Sequence, residues 1–265
     1  HPDRGWTHDG VLWPTQLLTP AETDDAFLLE TLELQVRIDK ASRHVTILDL
    51  NGAVLSQESG YTHDNGVSTL YQELSENDHF FALGEKAGPL DKRGQKLTMW
   101  TTDAINPEGD IEPWSDPLYQ SHPFYIGLRD GVAHGFYLQN SFRTTFDLGA
   151  VSSDVAISAQ GGDIDYVVFG GPSISEVVER YSAHVGRPLM PPLWTLGYHQ
   201  CKWSYHPDDQ VRSIASTFRE KEIPADGMWL DIHYMDGYRS FTWSPEEFSN
   251  PTGLLSELTG QGFKT

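Results

Sequence analysis

One stretch of the chain, residues 190–251, decides the fold: MPPLWTLGYHQCKWSYHPDDQVRSIASTFREKEIPADGMWLDIHYMDGYRSFTWSPEEFSNP. It opens with an apolar run, Leu193–Tyr198, which follows Pro192 and is too short for a helix. A second apolar run, Gly227–Ile232, carries the carboxylate of Asp231 at its end. Short apolar runs bounded by proline or glycine are typical of buried β-strands, so both runs are predicted to be strands.

The segment between the two runs has the pattern of a helix. Pro207 and Asp208 suit its first turn. One apolar stripe follows at helical spacing: Val211, Ile214, Ala215 and Phe218. A strand, a helix and a strand in this order predict a βαβ unit with parallel strands. The polar segments 200–205 and 231–236 then fall at the carboxyl ends of the strands, the end that carries the chemistry in a β/α barrel.

Upstream of this unit the apolar pattern has a period of two. The segment Leu32–Ile38 alternates apolar and polar side chains, which indicates a half-buried strand. Asn51-Gly52 and Asp130-Gly131 have the composition of tight turns. Further short strands are predicted at residues 44–50, 80–84, 97–100, 124–128, 135–139 and 166–169. Many short strands at this spacing predict an antiparallel β-sandwich over residues 27–170.

A helix is predicted at residues 173–185, closed by Gly186. One apolar face is expected to hold Ile174, Val177, Val178, Tyr181 and Val185. The proline-rich segment 187–192 forms the junction to the β/α unit. We therefore predict an extended lead-in over residues 1–26, a β-sandwich domain with its closing helix over residues 27–186, and the β/α part over residues 187–265.

Charge and hydropathy restrict the partners of the chain. Its 265 residues carry a formal net charge of −20, from 18 basic and 38 acidic side chains. Because a polyanion would be repelled, we expect no nucleic-acid partner. No apolar run approaches the ~18 residues of a membrane span, so no membrane partner is expected. No signal peptide is recognised in the sequence, and a cytoplasmic location is expected.

The sequence contains no recognisable motif for binding a metal or a cofactor. The single cysteine, Cys201, excludes an intrachain disulfide. No spacing of histidine and cysteine resembles a zinc site, and no glycine-rich phosphate loop follows a strand, so we expect no metal and no cofactor. The 8 tryptophans, 11 tyrosines and 12 phenylalanines suit a carbohydrate, because aromatic faces pack against the C–H faces of sugars. Most of these aromatic residues are nevertheless expected in the core.

Several separated motifs resemble one enzyme family. LGYHQCKWSY (residues 196–205) and WLDIHYMDGYRSFTW (residues 229–243) resemble the start of the catalytic barrel of glycoside hydrolase family 31, the α-glucosidase family. Further upstream motifs resemble the same family in the same order: Phe81–Glu85, Met99–Asp103, His122–Phe124 with Asn140-Ser141, and Gly162–Tyr166. The resemblance covers nearly the whole chain.

The resemblance implies both a fold and an activity. The fold is a galactose-mutarotase-like, antiparallel β-sandwich followed by the first strand–helix units of a (β/α)8 TIM barrel. The activity is that of a retaining α-glucosidase, which removes terminal glucose from an α-glucoside oligosaccharide. Both catalytic aspartates of the family lie on later barrel strands, the nucleophile in a W-x-D-M-N-E-type segment that is absent here. No catalytic residue is therefore assigned, and Asp163 and Asp165 are placed on the edge strand of the sandwich.

By the same resemblance, four residues belong to the sugar pocket: Asp231, Ile232, Trp203 and Asp103. Asp231 would accept hydrogen bonds from the hydroxyls farthest from the scissile bond, because an ionised carboxylate can take two. The alternative is a strand-end carboxylate that caps the next loop. Ile232 would line the wall, and Trp203 would lie beside the non-reducing sugar or, alternatively, pack in the core. Asp103 would reach over the site from the sandwich, while His233 stands where many members have an acidic residue.

The length of the β/α part leads to a further expectation. A complete barrel takes about 250 residues, whereas residues 191–265 hold two strand–helix pairs, with the second helix at 251–259, and the start of a third strand at Phe263. We therefore expect a piece of a longer polypeptide, with the remaining C-terminal part of the barrel as its partner, and no activity from this piece alone. The alternatives are a transglucosylase or α-xylosidase of the same family, and a non-catalytic carbohydrate-binding fragment.

Overall fold

The computed structural model of the protein describes residues 19–103 and 115–265. The chain divides into two units, residues 1–187 and 188–265, and each is described by itself. Within the described residues, every strand pairing in the first unit is antiparallel. The strand pairing in the second unit is parallel.

The first unit has two sheets. Its strands are β1 (Thr19–Glu22), β2 (Ala26–Glu30), β3 (Gln35–Asp39), β4 (Val45–Leu48), β5 (Val54–Asp64), β6 (Val67–Gln72), β7 (Asp78–Gly84), β8 (Lys96–Met99), β9 (Ser121–Arg129), β10 (Val132–Leu138), β11 (Thr144–Leu148), β12 (Val155–Ala159) and β13 (Tyr166–Gly170). One sheet has the order β1-β2-β3-β4-β5-β6-β12-β11-β8, and the other has the order β13-β10-β9-β7.

The core of this unit lies between the two sheets. Side chains from both sheets are fully or almost fully buried in one cluster: Leu70, Phe80, Tyr125, Phe136, Phe146 and Ile157. Tyr125 of β9 meets Phe146 of β11 edge-on at 6.3 Å between ring centroids. Its buried hydroxyl donates a hydrogen bond to Gln72 Oε1 at 2.8 Å, so the polar end of the ring is satisfied. The predicted antiparallel β-sandwich is confirmed.

Local turn chemistry explains where the predicted strands differ from the observed ones. The predicted strand Leu32–Ile38 is confirmed from Gln35 onward, as β3, but its first residues are wrong because a turn separates β2 from β3. The Thr31 hydroxyl accepts hydrogen bonds from the backbone N–H groups of Glu33 and Leu34, at 3.1 and 2.9 Å, and so favours the turn. The turn at Asp130-Gly131 is confirmed: both residues have positive φ, 50° and 84°, between β9 and β10.

The helix α1 (Ile174–Val185) closes the first unit. It begins at a capping box, in which Ser173 Oγ accepts from the Glu176 N–H and the Glu176 carboxylate accepts from the Ser173 N–H. The helix itself is confirmed, but its predicted apolar face is only partly buried. Val177 and His184 are buried, whereas Ile174, Val178 and Val185 are exposed.

The predicted lead-in over residues 1–26 falls mostly outside the described residues. Its described end, Thr19–Glu22, is the strand β1, which pairs with β2. The segment is therefore part of the nine-stranded sheet where it is described.

The second unit alternates short parallel strands with helices. It contains β14 (His199–Gln200), α2 (Asp208–Glu220), β15 (Gly227–Met228) and α3 (Pro251–Gly260). Strand β14 pairs in parallel with β15, and Lys264 bridges to Gly227 in parallel on the other side. The βαβ unit and the start of a third parallel strand are confirmed.

The predicted buried strand at Leu193–Tyr198 is wrong. Residues Leu193–Leu196 form a short 3₁₀ helix, and the side chains of Leu193 and Leu196 are exposed. Pro192 has no N–H to donate to a strand partner, and the N–H groups of Thr195 and Gly197 donate instead to carbonyls three residues before them. Only His199 and Gln200, after this local turn, are free to pair with β15.

The core of the second unit comes mainly from its helices and loops. The buried side chains form one cluster: Tyr205, Val211, Ala215, Ala225, Met228, Leu230, Phe248, Leu254, Leu258 and Phe263. The predicted stripe of α2 faces this core, with Val211 and Ala215 fully buried and Ile214 and Phe218 partly buried. Among the residues that the structure describes, no helix is long and apolar enough to cross a membrane.

Candidate functional site

Two loops meet at the carboxyl ends of β14 and β15. The first loop follows Gln200 and leads to α2, and the second follows Met228 and leads to α3. Because neighbouring parallel strands end at the same edge, both loops start side by side. The polar residues of both sequence motifs are therefore brought together as the βαβ pattern predicts.

Asp231 lies at the start of the second loop in an uncommon backbone conformation. Its φ is 64°, in the left-handed region that aspartate and asparagine tolerate better than most residues. The side chain is half-buried. Across residues 19–103 and 115–265, no group donates a hydrogen bond or forms an ion pair to the Asp231 carboxylate. The alternative role of capping the next loop is therefore not what the structure shows.

The Asp231 side chain borders a cavity of about 420 Å³. This volume lies in the range of small-molecule sites. The lining is mostly apolar and aromatic around one carboxylate: Cys201, Met228, Trp229, Leu230, Asp231, Tyr234, Trp243, Leu255 and Thr265. Such a wall can pack against the C–H face of a sugar while the carboxylate accepts hydrogen bonds from its hydroxyls.

A hydrogen-bonded histidine holds the Trp229 wall of this cavity. The Trp229 indole N–H donates to Nδ1 of His199 at 3.1 Å. Since Nδ1 accepts, the ring proton of the neutral imidazole is on Nε2, which donates to the carbonyl oxygen of Trp194 at 3.1 Å. The chain Trp229–His199–Trp194 fixes the orientation of an indole that is otherwise 57% exposed.

Trp203 projects from the first loop and is 80% exposed. The alternative of core packing is therefore wrong. Its ring centroid lies 6.4 Å from that of His233 in the second loop. Ile232, beside Asp231, is 37% exposed. Of the described residues, neither Trp203 nor Ile232 is among those that line the cavity beside Asp231.

His233 joins the two loops. Its Nδ1 lies 2.7 Å from Ser204 Oγ, and its ring stacks on His206 at 4.6 Å between centroids. The Tyr238 ring meets the His233 ring edge-on at 5.6 Å between centroids. His233, which stands where many family members have an acidic residue, therefore contacts the first loop through Ser204 and His206.

Asp103 belongs to the first unit, at the end of a described segment. Its carboxylate accepts a hydrogen bond from the Tyr119 hydroxyl at 2.6 Å, and the side chain is exposed. Most of the loop that follows, residues 104–114, lies outside the described residues.

Sequence reasoning missed the aromatic wall of the cavity. Trp229, Tyr234 and Trp243 line it with Asp231, but none of them is among the four predicted pocket residues. One signal was present for Trp229, because it alternates with the buried Met228 and Leu230 and so points away from the core. Among the residues that the structure describes, no group of three or more His, Cys, Asp or Glu could hold a metal ion.

Comparison with known proteins places this fold and these loops in one family. Residues 1–147 match the family model for the glycosyl hydrolase 31 N-terminal galactose mutarotase-like domain. Residues 188–265 match the model for the glycosyl hydrolases family 31 TIM-barrel domain. One match lies in each of the two units. The chain belongs to glycoside hydrolase family 31.

Two of the curated relatives that the chain resembles are named α-glucosidases. Alpha-glucosidase 2 of Bacillus thermoamyloliquefaciens is 42% identical over 92% of this chain and 31% of its own length. An alpha-glucosidase of Saccharolobus solfataricus is 35% identical over 73% of this chain and 27% of its own length. The chain therefore spans about a third of the length of these curated relatives, or less.

Solved structures share the fold of both units. A Flavobacterium johnsoniae GH31 dextranase complexed with isomaltotriose superposes with a TM-score of 0.84, at 32% identity, over 93% of this chain and 30% of that chain. A glucosidase II alpha subunit superposes with a TM-score of 0.81, over 94% of this chain and 33% of that chain. Its identity is 21%, so this second likeness bears on the fold alone. A galactose-mutarotase-like domain followed by the start of a TIM barrel is therefore the architecture of this chain.

Proposed function

We propose that the polypeptide containing this sequence is a retaining, exo-acting α-glucosidase that removes terminal glucose from α-linked oligosaccharides. This chain would supply the N-terminal domain and part of the glucose pocket. Membership of family 31 and the α-glucosidase names of the relatives support the proposal. The nucleophile and the acid/base would be carboxylates outside these 265 residues, because no W-x-D-M-N-E-type segment occurs in them.

The observation that carries the proposal is the unpartnered carboxylate of Asp231 at an aromatic-walled cavity. A half-buried carboxylate that accepts no hydrogen bond from the described residues keeps its acceptor sites for a ligand. Two sugar hydroxyls can each donate one hydrogen bond to it. Trp229 and Trp243 would pack against the ring of the same sugar.

Ile232, Trp203 and Asp103 are proposed as further pocket residues. Trp203 offers an exposed indole, and its ring lies beside that of His233 in the second loop. Ile232 offers an apolar side chain next to Asp231. Asp103 offers an exposed carboxylate on the first unit. Each role follows from the family motif and stays a proposal.

The test is Asp231→Asn in the full gene product. Each charge-assisted hydrogen bond contributes roughly 1.5–3 kcal/mol. Two of them, not fully additive, predict a loss of ~10²–10⁴-fold in kcat/KM on maltose. The loss should shrink on glucosides that lack the distal hydroxyls, because the carboxylate then has nothing to hold.

Asp236→Asn is the matched control in the same loop. Asp236 is ion-paired with Arg239 and does not line the cavity. We expect its kcat/KM to stay within about threefold of wild type. Activity of Asp231→Asn within that same range, or equal losses in both variants, would contradict a role of Asp231 in the pocket.

The stereochemistry and the linkage are tested by product analysis. Two carboxylates ~5–5.5 Å apart predict retention, so the first glucose released should be the α-anomer by NMR. The likeness to a dextranase complexed with isomaltotriose favours α-(1→6) substrates as a second candidate. Initial rates on isomaltose and maltose decide between the linkages. Release of β-glucose, or new oligosaccharides in place of glucose, would remove the hydrolytic retaining assignment.

A further inference from the structure

The β-sandwich unit has a second cavity, of about 390 Å³. Its walls come from three separate stretches of sequence: Met99, Trp100, Thr101, Ser121, Pro123, Tyr137, Asn140, Ser141 and Phe142. None of these described lining residues carries a charge. Aromatic faces, hydroxyls and one amide therefore surround a space of ligand size.

Phe142 is held flat against two glycines. A Cβ added at Gly161 would lie 2.6 Å from Phe142 ring carbons, and one at Gly162 would lie 3.2 Å from the ring. Glycine at both positions is thus what lets the ring approach the backbone. The Phe142 side chain remains 53% exposed, so one face contacts the glycines and much of the ring is open to solvent.

Phe142 and the two glycines beneath it, Gly161 and Gly162, form an aromatic platform. Asn140 connects the two chain segments that build this platform. Its Nδ2 donates to the carbonyl oxygens of Gly161 and Asp163 at 2.9 and 3.0 Å. Its Oδ1 accepts from the N–H of Phe142 at 2.7 Å. A buried amide with all of these partners locks the ring over the glycines.

Trp100 provides a second exposed aromatic side chain on the cavity wall, 45% exposed. Its backbone is fixed to β9 on both sides of the residue. The Trp100 N–H donates to Ser121 Oγ at 3.0 Å, and the same hydroxyl donates to the Trp100 carbonyl at 2.6 Å. The ring of Phe142 and the backbone that carries Trp100 are therefore held in place, which lowers the entropy that a ligand must overcome on binding.

We propose that this cavity binds a glucosyl unit of a gluco-oligosaccharide. A hexose presents apolar C–H faces to aromatic rings and hydroxyls to Ser, Thr and Asn groups, and it carries no charge. An uncharged wall disfavours a phosphorylated or acidic ligand, which would lose its hydration without gaining a counter-charge. The choice of glucose among hexoses rests on the proposed function, whereas the site itself rests on the geometry of Phe142 and Trp100.

The experiment is a titration of this chain with maltotriose and isomaltotriose, followed by calorimetry and saturation-transfer NMR. Phe142→Ala and Trp100→Ala are each expected to weaken binding about fivefold or more, because each removes one aromatic face. Phe142→Tyr keeps the ring and is expected to bind within about twofold of wild type. Tyr61→Ala, which removes an exposed ring elsewhere on the sandwich, should leave binding unchanged.

Gly161→Ala tests the platform without deleting an aromatic residue. The new Cβ would displace the Phe142 ring, so binding should weaken while the ring is still present. Near-ultraviolet circular dichroism checks the fold of each variant. If Phe142→Ala fails to fold, the pair Gly161→Ala and Phe142→Tyr still decides the question.

Asp231→Asn, measured in the same titration, separates this proposal from the proposed function. A sandwich site predicts that binding persists in Asp231→Asn and is weakened about fivefold or more in Phe142→Ala. Binding that is abolished by Asp231→Asn and untouched by Phe142→Ala and Gly161→Ala overturns the sandwich site and leaves the Asp231 pocket standing. No saturable binding of either sugar at millimolar concentration overturns it as well.

Discussion

The two units of the chain maintain their folds by different means. In the sandwich, long antiparallel ladders such as β9–β10 fix the backbone, and the core is added to them. In the β/α unit, β14 and β15 are two residues long each, and most of the buried side chains come from helices and loops. Backbone hydrogen bonds between long strands and a packed core therefore both stabilise the sandwich, whereas the β/α unit depends mainly on side-chain packing.

This difference in stabilisation bears on function, because each unit carries one of the two cavities described above. The Asp231 cavity lies on the β/α unit and the Phe142 cavity on the sandwich. Loops on a scaffold with short ladders open at a lower free energy than loops on a long ladder. Three predictions test this contrast, from the largest expected effect to the smallest.

The first prediction compares two buried phenylalanines. Phe248 in the β/α unit and Phe146 in the sandwich are both almost fully buried, and truncation to alanine costs about 3–5 kcal/mol at such sites. We expect Phe248→Ala to raise hydrogen exchange throughout α2 and α3. Phe146→Ala should leave the β9–β10 ladder protected, because backbone pairing remains.

Hydrogen exchange with mass spectrometry measures both variants. The contrast fails if Phe248→Ala changes exchange only next to residue 248, or if Phe146→Ala exposes the whole sandwich. Either result would mean that strand length does not decide how far a packing defect spreads.

The second prediction concerns acid stability of the sandwich. His134 is fully buried, and neither ring nitrogen has a hydrogen-bond partner among the residues that the structure describes. Burial, with a smaller contribution from the charge of Arg129, lowers the pKa of His134 to about 4 from an ordinary value of 6.5. Between these pH values the unfolded chain takes up a proton that the folded chain does not. The free energy of unfolding should therefore fall as the pH drops from 6.5 to 4, by about 3 kcal/mol in total.

The variant His134→Phe removes the titrating group. Its unfolding free energy, measured with urea at several pH values, should lack this part of the acid dependence. His122→Phe, at an exposed position, is the control and should keep the wild-type slope. If the unfolding free energy of His134→Phe depended on pH as steeply as that of the wild type, a group other than His134 would cause the acid sensitivity.

The third prediction concerns the contact between α2 and α3. Arg212 of α2 pairs with Asp208 at 2.7 Å on its own helix and with Glu257 of α3 at 2.6 Å. Because these groups are partly exposed, Arg212→Met should cost only about 0.5–1 kcal/mol. The loss should vanish in molar salt, which screens the pairs.

The matched variant is Arg37→Met in the sandwich, where Arg37 pairs with Asp25 at 2.7 Å. We expect a smaller effect there, since the β2–β3 ladder holds the same strands together. Local hydrogen exchange measures the effect of both substitutions. A larger effect of Arg37→Met than of Arg212→Met would contradict the proposed difference between the two units.

Secondary-structure elements were predicted well from the sequence where buried side chains recur at one regular spacing along the chain. The stripe of α2 and the turn at Asp130-Gly131 were predictable because apolar spacing and turn chemistry are local signals. Strand β5 was missed, because its eleven residues include many polar ones on a half-exposed surface. The run Leu193–Tyr198 was assigned wrongly, because apolar composition predicts burial and the prolines override it.

The candidate site was predictable in part. Asp231 and Trp203 followed from the family motif, and the strand ends that carry them followed from the βαβ pattern. The cavity walls at Tyr234 and Trp243 were not predictable, because they depend on how a long loop folds back on the strand end. The cytoplasmic location and the domain limits stay predictions.

The left-handed backbone at Asp231 restricts how this position can change by mutation. A positive φ is tolerated by aspartate, asparagine and glycine, and strains most other residues. Asparagine and glycine codons are each one nucleotide away from an aspartate codon. A lineage can therefore discard the negative charge here in one mutational step without disturbing the chain path. Because geometry does not prevent that loss, only selection for the carboxylate itself would keep aspartate at this position, and sampling its natural variants would measure that selection directly.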